Sequence, residues 1–342
     1  MEKRHILITG GTGFLGLEIC KQLRKKFGDD VVLYSLSRQF NFPIPSIAVQ
    51  QLSYDLQKLS SENILEILEK YSISVIFHTA AKAGIWGRKE DFFQMNEVVT
   101  AKILDAAKQM HIKYFIYTSS PSVVFDRSDL ENVNETTAYP QTFTTYYAES
   151  KARAEALVLK SHGNEGILQT ISLRPHLIIG PGDPHLLPNL VSAFKRGRLK
   201  QIGSGHNLVD VIHVSNAAKA HLLSLEHLEE NEKHGGKSYF VGQERPVPLW
   251  QMINKLLATQ GLGPINMSTI VSFKMAYFMG SIFEVIYKTL GIYNTIPPMT
   301  RFMALQLGKS HYFSQQAAFQ DLGYRPDLMI ADAIASIKKY ES

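Results

Sequence analysis

The stretch Ile6-Leu7-Ile8-Thr9-Gly10-Gly11-Thr12-Gly13-Phe14-Leu15-Gly16 decides the fold. A short apolar run with no polar alternation suits a strand buried on both faces. Three glycines follow at intervals of three. An amphipathic run over 14–27, closed by Gly28, then reads as a helix. A tight turn from strand to helix needs glycine, and it lets a diphosphate approach backbone N–H groups at the helix N-terminus. The spacing is GxxGxxG, not the commoner GxGxxG, and a glycine-rich turn can be merely structural. Its place at the head of a strand–helix alternation favours a dinucleotide, with Gly10, Thr12, Gly13, Phe14, Leu15 and Gly16 as the cofactor loop.

Outward from this turn the alternation continues. Strands are expected over 31–37, 47–55, 74–81, 114–120 and 168–175. Helices are expected from a Ser60 or Ser61 cap through Leu68, over 92–111 and over 147–162. Such alternation predicts an α/β fold, a doubly wound parallel sheet of the Rossmann kind. After a loop at 180–184 come a strand over 209–214 and a helix capped by Ser215 and running through Leu228. From Pro246 the chain reads as mostly helical and rich in Met, Phe and Tyr. The expected organisation is a dinucleotide-binding core over 1–175 and a smaller, mainly helical substrate lobe over 176–342, with 206–242 returning to the core.

The 342 residues are 45% apolar and 20% charged, so a core of ordinary size can form. The net charge of +5 comes from scattered residues, apart from groups such as Lys25-Lys26 and Lys195-Arg196-Gly197-Arg198. Nucleic-acid binders concentrate basic charge among stacking aromatics, so no nucleic-acid partner is expected. A single cysteine, Cys20, forms no intramolecular disulfide and suits a reducing, cytoplasmic setting. The N-terminal apolar run is too short for a signal peptide. The longest apolar stretch, 270–292, is interrupted by Lys274, Glu284 and Lys288. It reads as a buried or interfacial helix and not as a membrane span; peripheral membrane contact stays open. Twelve histidines show no metal-ligand spacing, so no metal is expected.

Ser37-Arg38 ends the second strand, where NAD enzymes place a carboxylate for the ribose 2′-hydroxyl. A guanidinium without an acid suits a 2′-phosphate. NADP(H) is therefore the preferred cofactor, with NAD(H) as the alternative. Asp55, with Leu56, stands where the third strand would meet the adenine, or serves as a loop cap. Tyr147 and Lys151 are one helical turn apart. A phenol is a poor acid–base group near neutrality, and a neighbouring ammonium together with an oxidised nicotinamide would lower its pKa. Among the hydroxyls of 117–122, Ser120 is chosen to hold the substrate oxygen, while Ser119 and Ser122 are expected to cap or bond the backbone.

These residues resemble the extended short-chain dehydrogenases/reductases over essentially the whole chain. The marks are TGGTGFLG at 9–16, HTAAKAG at 78–84, YTSSPSVVF at 117–125, YAESK at 147–151 and LRPHLIIGPGD at 173–183. Within them the chain is similar to the 3β-hydroxysteroid dehydrogenase branch, and there to bacterial 2-alkyl-3-oxoalkanoate reductases. The resemblance implies that Ser120, Tyr147 and Lys151 are catalytic and that Asn96 is structural or positions water. It implies that Ala80, Ala81 and Lys82 run past the cofactor, and that Pro175, His176 and Leu177 lie by the carboxamide. It also implies a homodimer formed through the 92–111 and 147–162 helices.

The expected activity is ketone–alcohol interconversion on a hydrophobic 3-oxoacyl or 3β-hydroxysteroid type of substrate. The Met/Phe/Tyr-rich segment 267–303 is expected to be partly core and partly substrate wall. Two alternatives are a nucleotide-sugar epimerase or dehydratase and a non-catalytic NADP(H) sensor. The first would use Arg196, Arg198 and Arg245 on a diphosphate; such sensors often lack the Tyr147 or Lys151 retained here.

Overall fold

The computed structural model describes residues 3–38, 47–163, 167–230, 235–265 and 270–337. Ile6, Leu7 and Ile8 are buried on both sides of the first strand, β1 (Arg4–Thr9), as an uninterrupted apolar run requires. The other strands are β2 (Val31–Ser37), β3 (Val49–Ser53), β4 (Val75–His78), β5 (Tyr114–Thr118), β6 (Leu130–Val133), β7 (Gln169–Pro175), β8 (Ile178–Ile179), β9 (Leu208–Val209), β10 (Ile212–His213), β11 (Lys237–Val241), β12 (Val247–Pro248) and β13 (His311–Phe313). Seven form one parallel sheet in the order β11-β7-β5-β4-β1-β2-β3. The order reverses between β1 and β4, where an open α/β sheet leaves a crevice beyond its strand ends.

The helices are α1 (Phe14–Phe27), α2 (Ser61–Lys70), α3 (Lys89–Phe93), α4 (Val99–Gln109), α5 (Tyr146–Lys160), α6 (Leu186–Lys195), α7 (Val214–Glu230), α8 (Leu249–Thr259), α9 (Phe273–Thr289), α10 (Arg301–Gly308), α11 (Gln316–Leu322) and α12 (Ile330–Ala335). One sheet face packs on α1 and α7 through Ile19, Leu23, Ala218 and Leu225. The other packs on α2 and α4 through Ile64, Leu68, Ile103 and Leu104. Ser60 caps α2 in a reciprocal capping box with Asn63. Cys20 is on the buried face of α1, and burial pushes its thiol up to about 12, so it is an inert packing residue.

The helix expected over 92–111 starts earlier and is not uniform. Between α3 and α4 a π turn, Gln94–Val98, carries the chain on without a break. The strand expected over 209–214 is two short pieces. One pairs in a four-stranded sheet of order β12-β9-β13-β6, the other pairs β8. Helix α7 begins at Val214, so Ser215 lies inside its first turn and bonds the ring of His213 instead of capping. Thus α7 and β11 join the large sheet, whereas α8 and α12 pack on a third core around Trp250, Ile253 and Leu257.

Helix α9 departs most from the sequence expectation. It buries Ala276, Gly280 and Glu284 and turns Met275, Phe278, Val285 and Ile286 outward. The reason is local. A Cβ on Gly280 would lie 2.6 Å from the Thr300 carbonyl carbon, so small side chains let the start of α10 press against α9. The bulky apolar residues are left on the opposite face. Among the described residues no helix is long and apolar enough to cross a membrane.

Candidate active site

A cleft of about 460 Å³ opens beyond the C-terminal ends of β1, β5 and β7. Its floor is the glycine turn. Gly10 has φ +71°, open to glycine without strain, and a Cβ there would lie 3.0 Å from the Cα of Ala80. A Cβ on Gly16 would overlap the Gly10 carbonyl, so the helix start packs flush on the turn. Gly13 precedes α1 without any side-chain cap. The first N–H groups of α1 are thus left for a ligand, and this end of the helix favours an anion. A concave, uncapped, glycine-lined helix start fits a dinucleotide diphosphate.

Gly10, Gly13, Phe14, Leu15 and Gly16 line the cleft; Thr12 stands beside them in the turn. Ser37 ends β2 and Arg38 follows, exposed, one strand over from the turn; Gly10 N–H donates to the Leu36 carbonyl at 2.8 Å. Asp55 follows β3, and its carboxylate accepts from Gln57 N at 3.2 Å, while Leu56 is buried in the core. Ala81 lines the cleft, whereas Ala80 backs Gly10 and Lys82 bridges to Asp91 at 2.9 Å. Among the described residues no group of histidine, cysteine or carboxylate side chains is placed to hold a metal ion.

Ser120, Tyr147 and Lys151 meet in this cleft. Ser120 follows β5 and caps a short 3-10 turn, Pro121–Val124. Its hydroxyl oxygen accepts from Ser122 N at 3.2 Å and from the Ser122 hydroxyl at 3.0 Å, so its own proton points elsewhere. The capping oxygen expected of its neighbours therefore belongs to Ser120 itself, because Pro121 supplies a pre-set first turn residue. Helix α5 is capped by Thr145, whose hydroxyl oxygen accepts from Ala148 N at 3.1 Å. That cap fixes where Tyr147 and Lys151 emerge.

Lys151 is 2% exposed, and burial brings its ammonium down to about 7 while Glu155 pushes it back up. It donates to the Thr118 carbonyl at 2.5 Å and lies 4.1 Å over the Tyr117 ring. Burial holds the Tyr147 phenol above its usual value, and the Ser120 hydroxyl draws it back. In the protein alone burial dominates and the ammonium is turned toward a carbonyl, whereas the expected lowering of the tyrosine invokes a bound oxidised nicotinamide as well.

Asn96 sits in the π turn, fully enclosed. Its amide accepts from Lys82 N at 2.8 Å and donates to Lys82 O at 3.0 Å and to the Ser150 hydroxyl at 2.9 Å. It ties the segment leaving β4 to the helix that carries Tyr147. His78 is likewise internal, bonded to Thr9 and Thr100, and burial takes it down to about 3.

Pro175, His176 and Leu177 also line the cleft. His311 Nε2 meets the Gln306 carbonyl at 2.9 Å and must donate there. Burial keeps His311 neutral, at about 4, so its Nδ1 accepts and His176 Nε2 donates across 2.7 Å.

Sequence reasoning missed several contributors. Ile85, Leu186 and Gln306 line the cleft, beside Phe302 of the 267–303 segment. Phe302 and Gln306 stand four apart on one helix, a spacing that marks a shared face. The Met/Phe/Tyr wall expected from 267–303 is otherwise absent from the cleft among the described residues, because α9 faces outward. Behind Lys151, Glu155 accepts from Arg174 at 2.6 and 3.1 Å, Ser172 at 2.7 Å and Tyr139 at 2.8 Å. Nothing in the local pattern announces that pairing, which joins a helix to a strand.

The sequence profile of the 3-beta hydroxysteroid dehydrogenase/isomerase family matches residues 7–273. The chain is 36% identical over 340 residues to a 2-alkyl-3-oxoalkanoate reductase of Shewanella oneidensis, covering 98% of this chain and 85% of that protein. It is 30% identical over 329 residues to the mouse sterol-4-alpha-carboxylate 3-dehydrogenase, decarboxylating, covering 96% and 88%. Its fold is shared by a UDP-glucuronic acid 4-epimerase of Bacillus cereus solved with NAD, at a TM-score of 0.71, 20% identity and 97% coverage of both chains.

Proposed function

Because this chain belongs to the 3-beta hydroxysteroid dehydrogenase/isomerase family, and is thereby an NAD(P)-dependent oxidoreductase, we propose that it interconverts a ketone and a secondary alcohol on a hydrophobic substrate with NADP(H). One observation carries the reading: Ser120, Tyr147 and Lys151 share a cleft whose lining includes both the glycine turn and the apolar side chains of Ile85, Leu186 and Phe302. The Gly10–Gly16 turn would hold the diphosphate of a nicotinamide cofactor, which would supply the hydride chemistry. Ser120, with its oxygen already occupied as an acceptor, donates to the substrate oxygen. Tyr147 exchanges the proton with that same oxygen. Lys151 adds positive charge next to the phenol, favouring its ionised form.

Ser37, Arg38, Asp55, Leu56, Ala80, Lys82 and Thr12 are assigned to the cofactor's outer contacts. Arg38 in place of an acid supports NADP(H), and an exposed guanidinium at that strand end suits a phosphate dianion. Pro175, His176 and Leu177 are assigned to the carboxamide side. Homodimerisation through the 92–111 and 147–162 helices belongs to the same reading. Arg196 and Arg198, which a nucleotide-sugar enzyme would turn on its diphosphate, are exposed and do not line the cleft.

The test is NADPH oxidation with 2-alkyl-3-oxo acids of rising chain length, a 3-ketosteroid and a UDP-sugar. Each buried methylene adds about 0.8 kcal/mol, so kcat/KM should climb until the apolar lining is covered. Turnover confined to the UDP-sugar overturns the reading. Arg38→Ala should weaken NADP(H) far more than NAD(H).

A further inference from the structure

The large apolar side chains that stay exposed are not scattered. Among the described residues ten of the fourteen fall between Ile270 and Ile296. Such concentration marks a contact surface, since apolar residues exposed singly are ordinary. On α9, Met275, Phe278, Met279, Ile282, Val285 and Ile286 follow the three- and four-residue spacing of one helical face, opposite Ala276, Gly280 and Glu284. At about 100° per residue, the exposed Lys274 and Lys288 border that stripe near the two ends of the helix.

The same region holds almost no acid. Between Glu244 and Asp321 the one acidic residue is Glu284, enclosed and paired with Arg301 at 2.7 Å. A second basic group is brought to the start of α9 by chain pairing. Ile202 bridges Val271, and Val271 N donates to the Gln201 carbonyl at 2.9 Å. Just before these stand Lys195, Arg196, Arg198 and Lys200, all exposed and, among the described residues, without a carboxylate partner. Beyond the other end of α9, Trp86 stacks on Tyr293 at 6.2 Å, meets Tyr287 edge-on at 6.1 Å and donates its indole N–H to the Ile292 carbonyl at 2.9 Å. Rings with an apolar body and a polar tip suit a boundary between oil and water.

We propose that α9 and the adjoining basic run 195–200 dock on an anionic lipid surface, with the helix lying in the headgroup plane. With 17 residues α9 is about 25 Å long, too short to cross a bilayer and well formed to lie along one. The apolar stripe enters the acyl boundary, and Lys274 and Lys288 reach back to the lipid phosphates. The run 195–200 adds an attraction that acts before contact. A second copy of this chain is the poorer occupant, because an isologous contact would set these unpaired cations against their own kind. The docked face adjoins the cleft: α9 packs on α10, whose Phe302 and Gln306 line it, and Ile85, which also lines it, precedes Trp86. A hydrophobic ligand held in the bilayer would reach the cleft without crossing water. The docking does not depend on the oxidoreductase reading.

The test floats the whole chain with vesicles of phosphatidylcholine alone and of phosphatidylcholine mixed with phosphatidylglycerol. Wild type should bind the anionic vesicles, and salt should weaken the binding. Phe278→Ser with Val285→Ser should lower the partition coefficient about tenfold or more, through the loss of two inserted side chains. Lys195→Gln, Arg196→Gln and Arg198→Gln together should lower it about tenfold, on anionic vesicles only. The matched control, Lys25→Gln, Lys58→Gln and Lys70→Gln together, should bind like wild type. All these side chains are exposed, so thermal midpoints should stay at the wild-type value. A wild type that floats with neither vesicle overturns the inference. So does unchanged binding in the Phe278→Ser, Val285→Ser variant, or an equal loss in the control, which would reduce the effect to net charge. An oligomer in light scattering that the Phe278→Ser, Val285→Ser change breaks, with no vesicle binding, gives the face to a second copy and overturns the lipid assignment.

Discussion

The ammonium of Lys151 donates to the main-chain carbonyl of Thr118 at 2.5 Å, at the point where β5 ends and Ser120 begins its turn. The bond fastens the helix that bears Tyr147 to the strand end that bears Ser120. It also places a charge where burial resists one.

Burial brings Lys151 in the folded protein down to about 7 from the usual lysine value of 10.5. Between those values the unfolded chain holds the extra proton, so folding stability rises with pH across that window. The cost of the buried charge is complete below about 7 and relieved by about 10.5. Lys151→Met removes the titration. Comparing thermal midpoints of the cofactor-free proteins, wild type should gain on Lys151→Met steadily from pH 7 to 10. A constant gap would contradict the buried charge.

Tyr147→Phe keeps the ring and loses the hydroxyl. Turnover should fall by about 10²–10⁴-fold, while NADPH binding, followed by its fluorescence, stays near the wild-type value. Normal turnover would remove Tyr147 from the proton transfer.

Gly16→Ala should cost nucleotide affinity more than almost any other single methyl group. The added carbon would overlap the Gly10 carbonyl and come 2.9 Å from the Gly11 Cα, both backbone positions that cannot swing aside. Gly263→Ala, where no atom lies within 4 Å, is the matched control. Equal nucleotide affinity in the two variants would refute the close fit of turn and helix.

Glu155→Gln should destabilise the fold by about 3–5 kcal/mol in urea denaturation, because Arg174 is left charged and buried. The pair is 0% and 3% exposed. The double change Glu155→Gln, Arg174→Met should recover part of the loss. If the single change costs less than about 1 kcal/mol, water reaches the pair.

The parallel sheet was readable because each strand is a short apolar run and each crossover a periodic one, as with Ile6–Ile8 followed by Leu15, Ile19 and Leu23. Tyr147 and Lys151 were readable because helical spacing alone brings them to one face. Chain-distant partners left no such trace. Glu155 and Arg174 are 19 residues apart, and Thr118 contributes a carbonyl that every residue possesses. Helix α9 misled for a different reason. Its composition says apolar, but only the smallness of Ala276 and Gly280 tells which side goes inward.

The π turn at Gln94–Val98 gives this helix one residue more than an α-helix would use over the same rise. Loss of a single codon there would heal the helical bonding and rotate all that precedes it by about 100° relative to α4. Asn96 could then no longer face both Lys82 and Ser150. The segment should therefore tolerate a change of letter at Glu97, on its partly exposed side, far better than a change of length at any of its five positions. Its reading frame in space, more than its spelling, is what holds the segment leaving β4 against the helix of Tyr147.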